Sequence, residues 1–160
     1  MEHSIIDYSE AQQLIATIQS KGKKAYVRVG ENNNRIIKRV LDAGADGIIV
    51  PMVNSKEDAI KAIKSTKYPP LGNRGVGLAR AQNYGFGFDN YKNNIADKIK
   101  LIVQIEHIDA VNNLDDILSL DEIDGTFIGP YDLSGSMGKP GKYNDSDVKA
   151  VIKKYEITAK

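Results

Sequence analysis

The side chains best suited to chemistry in this chain stand at the ends of short apolar runs. Arg28 sits within Ala25–Val29 (AYVRV), and Met52-Val53-Asn54 follow Ile48-Ile49-Val50-Pro51. Gln104 and Glu106 close the run that starts at Leu101 (LIVQIE), and Tyr131-Asp132 follow Phe127-Ile128-Gly129-Pro130. If these runs are strands, their side chains alternate with a period of two, so Ile102, Gln104 and Glu106 share a face. Two carboxylates, Glu106 and Asp132, then stand at the ends of successive strands. Converging carboxylates repel one another unless a divalent cation or a shared proton lies between them. Oxygen donors in a chain with no Cys and only 2 His suit a hard ion, Mg2+ or Mn2+, that keeps waters or accepts substrate oxygens. The alternative is two ordinary acids near helix starts, where the helix dipole favours them.

Three other features compete for a role. Glycines in Leu71-Gly72-Asn73-Arg74-Gly75-Val76-Gly77 could let backbone amides approach an anion, although a lone RGVG is weak evidence and a flexible turn is the better reading. His3, taken alone, is an ordinary residue near the start of the chain. His107 faces away from Glu106 by the same alternation and is assigned a structural or solvated role.

Positioning these groups requires strands separated by helices. Ser9-Glu10-Ala11-Gln12 fits a capping box, and Ala11, Leu14, Ile15 and Ile18 recur at helical spacing up to Gly22. Asn32–Asn34 can cap a second stripe, Ile36, Ile37, Val40 and Leu41, and Ser55 can cap a third through Ala59, Ile60 and Ile63. Strands are read near 25–29, 47–51, 101–105 and 124–128, with later helices from about Asp109 and from Asp145 to Tyr155. A Gly-, Pro- and Asn-rich connection from about Lys67 to Lys98 is long enough to be functional or disordered. This alternation predicts an α/β protein with parallel strands and crossover helices, and in such folds ligands bind beyond the carboxyl ends of the strands. Asp46-Gly47-Ile48-Ile49-Val50-Pro51 is echoed by Asp124-Gly125-Thr126-Phe127-Ile128-Gly129-Pro130, as one βα unit used repeatedly would give.

Composition narrows the classes. A 160-residue chain with 41% apolar and 27% charged residues can bury a core, and 22 Lys plus Arg against 21 Asp plus Glu leave no basic footprint for nucleic acid. The absence of Cys excludes a disulfide scaffold and thiolate metal sites. No apolar run reaches the roughly 18 to 20 residues of a membrane helix, and the N-terminus is not a signal peptide, so the default is a soluble cytoplasmic protein without membrane or nucleic-acid partners.

Taken in order, Glu2-His3-Ser4, Tyr26-Val27-Arg28, Ile49-Val50-Pro51-Met52-Val53, Tyr68-Pro69-Pro70-Leu71-Gly72-Asn73-Arg74-Gly75-Val76-Gly77, Arg80-Ala81, Val103-Gln104-Ile105-Glu106 and Gly129-Pro130-Tyr131-Asp132-Leu133-Ser134 resemble the HpcH/HpaI aldolases. These are class II pyruvate aldolases such as 2-dehydro-3-deoxyglucarate aldolase and 4-hydroxy-2-oxoheptanedioate aldolase. The resemblance spans essentially all 160 residues as one domain. It implies a TIM (β/α)8 barrel of the phosphoenolpyruvate/pyruvate type. It also implies a divalent metal (Mg2+, Mn2+ or Co2+) on Glu106 and Asp132. Arg28 would hold the oxo and enolate oxygens of pyruvate and the aldehyde oxygen. Gln104 would orient the 2-oxo acid, and His3 would serve acid–base chemistry through water. Backbone amides around Tyr131 and Asp132, where a helix begins, would receive the pyruvate carboxylate. A homo-oligomer with the 67–98 connection near neighbouring subunits is implied as well.

Two departures qualify the resemblance. Tyr131 occupies a position that is often small in the family, and its bulk could narrow or reshape the pyruvate pocket. A complete barrel has eight strands and roughly 250 residues, whereas about four to five strands are read here. Met1-Glu2-His3 is expected to be the end of a further strand. Met1 is expected to be internal to a longer ancestral chain, and Ile152 to Lys160 to be an unfinished helix. The alternatives are a catalytically inactive barrel fragment and a lyase of the citrate lyase β-chain type, against which the YPPLGNRGVG segment argues.

Overall fold

The structure, a computed structural model, describes residues 1–159. Helix α1 (Tyr8–Ser20) precedes β1 (Tyr26–Arg28), α2 (Asn34–Asp42), β2 (Gly47–Val50) and α3 (Lys56–Thr66). After the long connection come β3 (Lys100–Ile105), α5 (Ile108–Asn112), α6 (Leu114–Leu118), β4 (Gly125–Ile128), α7 (Pro130–Ser136) and α8 (Ser146–Thr158). The four strands are parallel and lie in chain order, β1-β2-β3-β4. A parallel sheet in chain order, with a helix at every crossover, is the βα repeat of a barrel wall.

Register sorts the side chains into two faces, because paired residues point the same way. Val27, Ile48 and Leu101 form one row on the helix side, and Ile48, Val50, Leu101, Val103 and Ile105 are fully buried there against the helices. On the opposite face Arg28, Ile49, Ile102 and Gly125 are level, and Gln104 is level with Phe127. This face has less cover: Tyr26 is 46% exposed and Phe127 49%. Gln104 and Glu106 belong to it.

The sequence echo has a physical cause. The Asp46 carboxylate accepts the Ala25 amide (2.9 Å) and pairs with Lys24 (3.0 Å), both at the start of β1. The Asp124 carboxylate likewise accepts the Leu101 amide (2.8 Å) and pairs with Lys100 at the start of β3. In each case an Asp entering one strand satisfies an amide at the start of its neighbour, fixing parallel register at the amino-terminal end of the sheet.

Several local readings change. The capping box is Asp7 with Glu10, not Ser9 with Gln12: Asp7 Oδ1 accepts the Ser9 and Glu10 amides (2.7 and 2.9 Å), and Glu10 accepts the Asp7 amide (3.0 Å). Met1–His3 form no strand, although the Met1 nitrogen donates to the Arg28 carbonyl (3.2 Å) beside β1. The one-turn α4 (Phe88–Asn90) and short helical turns at Arg80–Gly85, Tyr91–Ile95 and Ala96–Lys98 occupy much of the long connection.

That connection is neither an anion cradle nor a flexible turn at Arg74. The Arg74 side chain is fully buried, pairs with Asp42 (2.9 Å), donates to the Tyr91 hydroxyl (3.0 Å) and lies over the Tyr68 ring. The Asn73 and Arg74 amides donate to the Lys64 and Lys67 carbonyls, which α3 leaves unsatisfied at its end. A Cβ at Gly72 would overlap those same two carbonyls, so the close approach requires glycine.

Candidate active site

Glu106 immediately follows β3 at its carboxyl end and is only 4% exposed. Its Oε1 accepts the Met52 amide (2.8 Å), and its Oε2 accepts Gln104 Nε2 (2.6 Å). The alternation read from LIVQIE therefore places these two side chains together. Met52 is held at φ +52°, a left-handed conformation unusual for a side chain of its size, at the turn after β2. Gly129 lies against the same carboxylate: a Cβ there would come within 2.7 Å of Glu106 Cβ and 3.0 Å of Oε2. The glycine in Ile128-Gly129-Pro130 thus leaves the space that Glu106 fills.

Burial pushes the Glu106 carboxyl above its ordinary value; the charges of Glu2 and Asp132 push the same way, against the hydrogen bonds from Met52 and Gln104. Asp132 is exposed in the first turn of α7. The Gly129 amide donates to Ile105 (3.0 Å), and the Ile108 amide to Ser136 Oγ (3.0 Å). Both bonds tie α7 to the segment that carries Glu106. Tyr131 is exposed at the rim, with its ring beside Gly141, where a Cβ would lie 3.4 Å from the ring edge.

Arg28 ends β1 at the same end of the sheet, and its Nε is 2.7 Å from Glu2 Oε2. His3 is exposed, with Nε2 3.6 Å from the same oxygen. Glu2 therefore joins Arg28, His3 and the field at Glu106, a position that the sequence reading passed over. The signal was its place in Glu2-His3-Ser4, but no periodic element predicts where that segment lies. His107 has no part in this group: its Nδ1 accepts the Asp109 amide (3.2 Å) and caps α5.

The donor set at this spot is all oxygen. Gln104 Oε1 is buried without a partner, so one acceptor there is free to meet a donor. Among the described residues no three His, Cys, Asp or Glu cluster closely enough to cage an ion. Two carboxylates with open positions fit Mg2+ or Mn2+, which keep several waters or substrate oxygens. A separate cleft of about 960 Å3, lined by Lys24, Asp46, Arg80 and Lys100, opens at the amino-terminal end of the strands and includes none of these groups.

The model of the HpcH/HpaI aldolase/citrate lyase family matches residues 1–160. The chain belongs to the HpcH/HpaI family. It is 40% identical over 153 residues to the 2-keto-3-deoxy-L-rhamnonate aldolase of Klebsiella pneumoniae, covering 94% of this chain and 57% of that protein. It is 40% identical over 154 residues to the hydroxypyruvate/pyruvate aldolase of Roseobacter denitrificans, covering 96% and 60%. A solved HpcH/HpaI aldolase/citrate lyase family protein from Burkholderia cenocepacia superposes with a TM-score of 0.91 at 29% identity, over 99% of this chain and 64% of that one. The HpcH/HpaI chain described here thus spans less than two thirds of these relatives, and its four parallel strands are a partial barrel of their fold. Among the described residues no helix is long and apolar enough to cross a membrane.

Proposed function

We propose that this chain carries the site of a divalent-metal-dependent aldolase. It would cleave or form 4-hydroxy-2-oxo acids, such as 2-keto-3-deoxy sugar acids, with pyruvate and an aldehyde as the other partners. The observation that carries this reading is the enclosed Glu106 carboxylate, fixed by Met52 and Gln104 and repelled by Glu2 and Asp132 at the carboxyl end of the sheet. Glu106 and Asp132 would hold Mg2+, Mn2+ or Co2+. A bound ion would supply Lewis acidity toward the carboxylate and 2-oxo oxygens of the pyruvate unit.

The chain's own groups take the remaining tasks. Arg28 donates to the 2-oxo oxygen, where negative charge grows as the C3–C4 bond breaks, and to the departing aldehyde oxygen. Gln104 orients the 2-oxo acid. His3, exposed beside Glu2, accepts the 4-hydroxyl proton through a water and returns it to the enolate carbon. Backbone amides at Tyr131 and Asp132 receive the pyruvate carboxylate, with the Tyr131 ring at the rim of the aldehyde side. The active form is a homo-oligomer.

Pyruvate release from a 2-keto-3-deoxy sugar acid tests this reading in the purified chain with Mg2+, Mn2+ or Co2+. Metal-dependent release that EDTA stops and Glu106→Ala abolishes is the expected result. Release that persists with EDTA or without Glu106 removes the metal assignment. A soluble, folded chain that releases nothing favours a non-catalytic fragment.

A further inference from the structure

The clearest unassigned group at this end of the sheet is the Glu2 carboxylate. We propose that Glu2 is a positioning residue that holds the Arg28 guanidinium for the oxygens of a bound 2-oxo acid; the proposal rests on the pyruvate-site reading above. Glu2 Oε2 lies 2.7 Å from Arg28 Nε, and the Met1 nitrogen donates to the Arg28 carbonyl at 3.2 Å. The first residues therefore grip both the side chain and the backbone of one strand-end residue. The side chains of Glu2 and Arg28 are only 15% and 33% exposed, so the pair is partly withdrawn from water and less screened than a surface pair.

The point of attachment matters. The closest approach is at Nε, the inner nitrogen of the guanidinium, and it is a charge contact without an aligned hydrogen bond, since Glu2 Oε2 is buried with no hydrogen-bond partner; the outer Nη pair is the part of the fork that meets two oxygens at once. A free arginine would have to lose several rotamers to present that edge, whereas the paired one is already oriented. The same Glu2 oxygen stands 3.6 Å from His3 Nε2. One carboxylate therefore borders both groups assigned to substrate oxygens and protons, and its charge reaches Glu106 as well.

Three readouts on the full 160-residue chain test this role. The first is solvent exchange of the Arg28 Nε–H by 15N NMR. The second is binding of oxalate, an enolate mimic, with Mn2+ by calorimetry. The third is pyruvate release. The Nε–H is expected to exchange slowly in the wild type, where the neighbouring carboxylate repels hydroxide, faster in Glu2→Gln, which keeps the bulk but not the charge, and fastest in Glu2→Ala. Oxalate affinity and kcat are expected to fall together in Glu2→Ala by on the order of tenfold to a hundredfold, and in Glu2→Gln by an intermediate amount. Unchanged exchange in Glu2→Ala, or unchanged affinity and kcat despite fast exchange, overturns the proposal. If Glu2→Ala loses its dispersed spectrum, Glu2→Asp, one methylene shorter, carries the same comparison. Slow exchange with Glu2-dependent oxalate binding but no turnover sinks the aldolase reading and leaves the positioning role standing. A chain that neither binds oxalate nor releases pyruvate overturns both.

Discussion

Ionising Glu106 puts a negative charge into a nearly enclosed spot that already faces Glu2 and Asp132. The folded chain therefore holds the Glu106 proton more tightly than the unfolded chain does. By linkage, stability from this group is complete below the ordinary carboxylate pKa and is lost as pH rises through the raised one. Glu106→Gln cannot ionise. Its amide oxygen can still accept from Met52, and Gln104 can turn its unpartnered Oε1 toward the new amide. In EDTA, the stability of Glu106→Gln relative to the wild type is expected to rise as pH climbs from about 4 and to level off once the wild-type carboxyl is ionised. Urea unfolding at a series of pH values measures this, and a difference that stays flat with pH contradicts it. The Gln104–Glu106 pairing was legible because a strand has a period of two. Glu2 was not, because its place depends on a bond from the chain start to Arg28, and no local pattern encodes that.

Strands and helices were legible wherever burial is periodic. The stripe at Ile37, Val40 and Leu41 and the runs at Gly47–Val50 and Lys100–Ile105 lie within a residue or two of their expected places. The first helix starts earlier than expected because Asp7, two residues before Ser9, accepts the Ser9 and Glu10 amides and caps it. The 67–98 connection was opaque because its order comes from contacts distant in sequence: Arg74 with Asp42, and Gln82 with Tyr68. Arg74 is a member of this buried group, not an anion ligand. Arg74→Ala is expected to lower unfolding stability by about 3–5 kcal/mol, because it leaves the Asp42 carboxylate and the Tyr91 hydroxyl without their buried partner. Denaturant unfolding near neutral pH reads this, and a loss under about 1 kcal/mol would place the pair among ordinary surface ion pairs.

Over the whole molecule, four parallel strands bury one face under helices and leave Tyr26 and Phe127 half exposed on the other. In a closed barrel that second face is the packed interior. The chain spans 57–60% of the curated aldolases it matches, yet Arg28, Gln104, Glu106 and Asp132 all lie at or just beyond the carboxyl end of this sheet. The expectation of four to five strands is met at its lower bound, since Met1–His3 pair by one bond without forming a strand. In the proposed function, Glu106 and a divalent ion make this end of the sheet a pyruvate enolisation site. Deuterium uptake into the methyl group of pyruvate tests it without knowledge of the aldehyde. In D2O with Mn2+, the wild-type chain is expected to speed loss of the methyl proton signal by on the order of a hundredfold or more over Mn2+ alone, and Glu106→Ala or EDTA to return it to background. Uptake that survives either treatment, or a folded wild-type chain with no uptake above Mn2+ alone, would contradict the claim.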